Sequence, residues 1–275
     1  MKSSLISLFV LMVLMFEAIS VTMVSETAKY KAYTELCKLA GRDYFALQTF
    51  RKKQIYRAMV EGLNYPAGKV LAQEIIQRYP HLLRYCSQIC LDDQFGAPLS
   101  YDFSSIGRIS PSVLRYIKVV GDLQREFGDL NNLNIVEIGA GFGGQCKVIH
   151  DICGFASYTM IDLPEVAALI KVYLEQFALK NIAAVGYAAL KEPKKYDLVI
   201  SNYAFSEIDK KGQLYYMEKV INLASRGYML YNNTPSVHPF SIEEFVSLLK
   251  KQQKKVKVLR ETPDWIIGNI VIWHP

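Results

Sequence analysis

Between about residue 25 and residue 130 the apolar positions recur at helical spacing, broken by short turn signals. Ser25 is placed to cap a helix carrying Tyr30, Tyr33, Leu36, Leu39 and Ala40, and Gly41 ends it. A second helical stretch is predicted over roughly 44–62, and Asn64-Tyr65-Pro66-Ala67-Gly68 reads as a turn. Helical spacing resumes at Val70, Leu71, Ile75 and Ile76, stops near Pro80, and returns briefly through Leu82, Leu83, Cys86 and Ile89. Residues 92–109 read as loop. Ser110-Pro111 then opens a long helix, with Ser at the cap and Pro at the first helical position. Its stripe is Val113, Leu114, Ile117, Val120, Leu123 and Phe127, and Gly128 stops it.

The rhythm changes at Asn134. Short runs rich in Val, Ile and Tyr (134–138, 157–161, 183–187, 197–201, 228–231) alternate with helical stretches near 143–153, 164–179, 211–224 and 241–253. Such alternation predicts an α/β fold, a parallel sheet with helices on both faces. Two last runs, 256–261 and 265–273, are joined by the short turn Thr262-Pro263-Asp264. So short a connection makes them an antiparallel pair.

The chain has 275 residues, 51% hydrophobic and 21% charged, which excludes intrinsic disorder. The net charge of +6 is mild and spread out, which argues against a nucleic-acid partner. The densest basic run, Lys250 to Lys257, reads as a solvated face. The first twenty residues are expected to be a secretory signal peptide: Lys2, the apolar run Leu5–Phe16, then Ala18-Ile19-Ser20. That run is shorter than the about 20 residues a membrane span needs, and an uncleaved anchor would carry Glu17. The expected location is therefore secreted or periplasmic, with no stable span after cleavage. An unprocessed start would leave the protein cytoplasmic. The five cysteines are odd in number, lack CxxC or zinc spacing, and read as small buried hydrophobes. No metal site is expected.

The strongest chemical signal is Ile135-Val136-Glu137-Ile138-Gly139-Ala140-Gly141-Phe142-Gly143-Gly144, where a strand turns into a helix. Glycines there let the backbone turn tightly and approach a ligand, and the helix start offers free N–H groups. Asp162, at the end of the next strand, is placed to accept hydrogen bonds from ribose hydroxyls. Taken literally, Gly139, Gly141 and Gly144 fit a nicotinamide dinucleotide fingerprint. Two features favour S-adenosyl-L-methionine instead. Glu137 precedes the first glycine, where dinucleotide binders are usually apolar, and the closing antiparallel pair does not suit a second mononucleotide half.

Four segments in order, Ser110–Tyr116, Val136–Gly144, Ile161–Glu165 and Ser201–Glu207, resemble the sugar O-methyltransferase family, within the class I S-adenosylmethionine-dependent methyltransferases. The resemblance covers most of the chain after residue 105. It implies a Rossmann-like sheet and methyl transfer to a hydroxyl of a saccharide or similar small molecule. The expected organisation is a signal peptide at 1–20, a helical cap at 21–130 and a methyltransferase domain at 131–275. Glu137, Gly139, Gly141, Gly143, Asp162, Leu163 and Asn202 are the expected cofactor residues, with Leu163 against the adenine. The segment Gly186–Leu190 offers no polar side chain for that base. Acceptor-facing groups belong at the carboxyl ends of the strands. Asn233 is placed there to orient a hydroxyl, and Glu207 or His238 to take its proton. Glu207 suits equally a cap of the following helix, and His238 an ordinary loop position. Arg115 reads either as a ligand contact or as a surface ion pair, while His81 and His150 read as structural. Two other functions stay open: an exported, non-catalytic binding module of the same fold, and a nicotinamide-dependent oxidoreductase.

Overall fold

The computed structural model describes residues 26–190, 194–232, 239–262 and 268–275. The signal segment, Asn233, His238 and the turn after Thr262 lie outside them. Helix α1 spans Glu26–Ala40. The stretch expected as one helix over 44–62 is instead a series of turns: Tyr44–Leu47, Phe50–Lys52, Gln54–Tyr56 and the π turn Arg57–Glu61, closed by Gly62 at φ +54°. The cause is Arg51, whose side chain points inward and is wholly buried. It pairs with Glu61 and Asp93 (2.8 Å) and donates to Ser110 Oγ (2.9 Å), with its guanidinium 4.4 Å from the centre of the Phe142 ring. The Lys52 N–H reaches the Gly96 carbonyl at 3.0 Å, which pins the turn to a distant loop.

Helix α2 is Tyr65–Arg78. The Asn-Tyr-Pro segment expected as a turn is its start: Asn64 accepts the Ala67 N–H at 3.1 Å, and Pro66 sits where no donor is needed. Tight turns fill 80–94, and the expected loop at 92–109 contains a hairpin, β1 (Tyr101–Phe103) with β2 (Gly107–Ile109). Strands of three residues are too short to show alternation. Helix α3 is Pro111–Phe127. Ser110 stands at its cap position but makes no side-chain cap, because its hydroxyl is engaged by Arg51 and Asp93.

The sheet follows in chain order: β3 (Asn134–Ile138), α4 (Gly144–Ile152), β4 (Ser157–Asp162), α5 (Pro164–Glu175), β5 (Ile182–Gly186), β6 (Tyr196–Asn202), α6 (Lys210–Lys219), β7 (Ala224–Asn232), α7 (Ile242–Lys251), β8 (Lys255–Arg260) and β9 (Gly268–His274). The strand order is β5-β4-β3-β6-β7-β9-β8, and only the pairs β7–β9 and β8–β9 are antiparallel. A parallel sheet closed by an antiparallel strand pair is the architecture expected from the sequence. Side chains alternate between its faces. Val136, Ile138, Val199, Met229 and Trp273 pack with α6 and α7. Ile135, Tyr158, Ile200 and Tyr228 pack with α3, α4 and α5 in a core that continues to Tyr33 and Tyr56. The helical region before residue 110 thus shares one apolar core with the sheet.

A buried polar cluster fastens α3 to both sides. Asp122 pairs with Lys118 (2.8 Å), accepts the Tyr228 hydroxyl from β7 (2.8 Å) and accepts the Tyr79 hydroxyl from the end of α2. The five cysteines are unpaired. Among the described residues no helix is long and apolar enough to cross a membrane, and no three His, Cys, Asp or Glu side chains gather so as to hold a metal ion.

Candidate active site

Strands β3, β4, β6 and β7 bring their carboxyl ends to one edge, where ligands of open α/β sheets bind. The turn after β3 has Gly139, Gly141 and Gly143 at φ +72°, +59° and +90°. Gly139 is required twice over. Its φ is left-handed, and a Cβ there would lie 1.9 Å from the Ala204 Cβ, so the segment after β6 rests directly on the turn. Gly141 is buried beneath Val60 and Tyr56 of the π-turn region. Gly143 backs onto Ile170 and Leu174 of α5, each 3.2 Å from where its Cβ would be.

Asp162 stands at the tip of β4. Its carboxylate accepts the Gly141 N–H (3.0 Å) and the Leu163 N–H (2.8 Å), which locks it to the glycine turn. Burial pushes its pKa up to about 6, against the lowering effect of those N–H groups. Leu163 is half-buried and leads into α5. Tyr30 and Tyr187 lie close enough to interact with one another. Burial, and then the Asp162 charge, push the Tyr30 phenol up to about 12. Tyr187 is 45% exposed, so the segment without polar side chains does offer an aromatic face.

Glu137 lies beneath the turn rather than on its surface. It is buried, and its Oε2 accepts the Tyr158 hydroxyl at 2.9 Å. Burial pushes its pKa up to about 8; the Tyr158 bond opposes the rise and the Asp162 charge adds to it. The folded chain therefore keeps a proton that the unfolded chain loses near its ordinary pKa of 4.5. Stability is expected to fall as pH rises from about 4.5 to about 8 and to level off above, by a few kcal/mol on the order of the shift. In Glu137→Gln this contribution should disappear and the fall in stability up to pH about 8 should become shallower, the Asp162 share below pH about 6 remaining, which urea unfolding across this pH range checks.

At the end of β6, Asn202 donates through Nδ2 to Gln145 Oε1 (3.1 Å), while its Oδ1 is buried without a partner. Glu207 is exposed and accepts from Asn232 Nδ2 at 2.9 Å. It does not cap the next helix; Asp209 does, accepting the Gly212 N–H at 2.7 Å. Tyr203 takes φ +71°, a left-handed conformation held by its N–H bond to Leu230 O (3.0 Å) and its hydroxyl's bond to Glu261. Arg115 is buried and lies over the Tyr203 ring. Being buried, it does not form the surface ion pair that is one of its two readings. His81 meets Gln124 on the surface, and His150 lies beside Asp151.

Sequence reasoning missed Tyr56 and Glu261. The Tyr56 hydroxyl is buried without a partner near Gly141, and one Glu261 oxygen is likewise unpaired. Neither belongs to a motif. Glu261 ends a strand run of otherwise ordinary alternation, and it reaches the active edge because β8 runs in the same direction as β7, both being antiparallel to β9.

No family model matches the chain, and no curated protein matches it. Among solved structures it is similar to the magnesium protoporphyrin IX methyltransferase of Synechocystis PCC 6803 with bound SAH, at 13% identity over 59% of this chain and 83% of that one, TM-score 0.48. It is also similar to an S-adenosylmethionine-dependent methyltransferase from Mesorhizobium loti, at 14% identity over 56% and 96%, TM-score 0.45. The pyocyanin biosynthetic protein PhzM aligns at 14% identity over 79% and 71%, TM-score 0.46. These likenesses concern the fold alone.

Proposed function

We propose that the protein is an S-adenosyl-L-methionine-dependent methyltransferase acting on a hydroxyl of a sugar or similar small molecule. The observation that carries the reading is the Asp162 carboxylate, fixed to the glycine turn by the Gly141 N–H and held in place by the N–H of its neighbour Leu163, with further lone pairs left to accept ribose hydroxyls. The unpartnered Asn202 Oδ1 stands ready to accept from the cofactor's ammonium group, and the Tyr56 hydroxyl offers a donor over the turn. Leu163 and Tyr187 supply apolar and aromatic surface for the base. When bound, the sulfonium supplies an activated methyl group. The chain's own residues then orient the ligand, exclude water and remove the acceptor's proton. The sugar class of the acceptor rests on the four ordered segments of the sequence.

Calorimetry on the full chain tests the cofactor: saturable binding of S-adenosylhomocysteine is expected, and none of NADH. Binding of NADH in its place would return the oxidoreductase reading. The exported binding module would be favoured if the cofactor bound but labelled methyl moved to no glycoside in a broad panel.

A further inference from the structure

Arg115 and Glu261 flank one ring. The Arg115 guanidinium carbon lies 5.1 Å from the Tyr203 ring centroid, and the Tyr203 hydroxyl donates to Glu261 Oε1. The two side chains are buried and opposite in charge. Each keeps one buried polar atom without a partner: Arg115 Nε, a donor, and Glu261 Oε2, an acceptor. Burying such atoms unpaired is costly, and burying one of each sign beside the same ring suits a particular ligand. A carboxylate would satisfy the arginine and repel the glutamate, and an ammonium the reverse. A hydroxyl accepts and donates through one atom and satisfies both.

The position fits as well. Tyr203 follows Asn202, and Ala204 packs on Gly139. Arg115 Nη2 makes a long 3.5 Å contact with the carbonyl of Val60, the residue that covers Gly141. The pair therefore adjoins the glycine turn. Glu261 Oε2 has its place only because β9 begins with glycine: a Cβ on Gly268 would lie 2.3 Å from it.

We infer that Arg115 Nε and Glu261 Oε2 hold the hydroxyl of the methyl acceptor and that Glu261 takes its proton, an inference that rests on the methyltransferase reading. The acceptor O–H bond breaks and its proton goes to Glu261 Oε2. The oxygen's lone pair forms the new bond to the methyl carbon, and the electron pair of the carbon–sulfur bond departs with sulfur. The Arg115 Nε–H steadies the negative charge that develops on the acceptor oxygen. Burial raises the Glu261 pKa; Tyr203, Arg115 and Lys118 oppose that rise, and Asp122 adds to it. The carboxylate is thus a stronger base than an exposed glutamate. Tyr203 is a positioning residue: it holds Oε1 so that Oε2 faces the acceptor.

Nuclear magnetic resonance on the full chain, saturated with S-adenosylhomocysteine, tests this with glycerol as the probe, a small polyol sharing the vicinal hydroxyls of saccharides. The Arg115 Nε–H and Glu261 carboxyl signals are expected to shift together and saturably. Glu261→Gln should abolish the Arg115 response and leave S-adenosylhomocysteine binding unchanged by calorimetry. Arg115→Lys, which keeps the charge and removes the Nε donor, should abolish the Glu261 response. Tyr203→Phe should move the Glu261 titration upward, because the carboxylate loses a donor. If S-adenosylhomocysteine binds but glycerol moves neither signal, or if Glu261→Gln leaves the Arg115 response intact, the hydroxyl site is overturned and the methyltransferase reading stands. Failure of S-adenosylhomocysteine to bind the unaltered chain overturns both.

Discussion

Arg51→Met destabilises the folded chain by about 3–5 kcal/mol, the cost of leaving buried carboxylates without their counter-charge. Against a total stability of about 5–15 kcal/mol, this is the largest expected effect of a single substitution in the helical region. Arg51 is wholly buried, and three groups converge on it from separate parts of the chain: Glu61, Asp93 and the Ser110 hydroxyl. The methionine would fill much of the volume and still meet the Phe142 ring, so the loss measures charge rather than space. Urea unfolding reads it as a lower midpoint with an unchanged slope. Neutralising the partners as well, with Glu61→Gln and Asp93→Asn, should restore most of the loss. If the single variant unfolds at the midpoint of the unaltered chain, Arg51 is not the fastening described here.

Asp162→Ala is expected to weaken S-adenosylhomocysteine binding by about 10²-fold or more, since two hydrogen bonds to a charged acceptor are worth about 1.5–3 kcal/mol each. It also leaves the Gly141 and Leu163 N–H groups without their acceptor. In the unaltered chain the same group sets a pH dependence. With its pKa raised to about 6, the carboxylate takes up a proton as pH falls through that value and loses an acceptor for ribose. Affinity should therefore hold above pH about 6 and decline below it. Calorimetry at successive pH values checks both. An Asp162→Ala chain that binds as tightly as the parent would remove this residue from the cofactor site.

The sheet was legible because buried parallel strands read as unbroken apolar runs. β3, Asn134–Ile138, has the bounds its residues predict, and β4 extends one residue further to include Asp162 itself. The glycine turn was legible because its backbone conformation demands a residue type. The π-turn region was not, since what bends it is Arg51, and the partners of Arg51 are up to 59 positions away. A helical pattern records which residues are apolar; it does not record that one charged residue among them points inward. Asn64 was misread for a related reason: an Asn-x-Pro sequence starts a helix as readily as it makes a turn, and only the packing of α2 on α3 decides. Glu261 escaped because strand order, rather than spacing along the chain, brings it beside Tyr203.

Val60 and Tyr56 lie over Gly141, and the segment carrying them is tied down by Arg51 at one end and by the contact of the Val60 carbonyl with Arg115 at the other. A molecule seated on that turn can leave only as fast as this segment lifts. The residence time of a ligand at the site is then expected to follow how readily the helical region lifts. Weakening Arg51 is therefore expected to act in two directions: it costs stability, and in whatever fraction of the chain stays folded it shortens the dwell of a molecule bound on the turn.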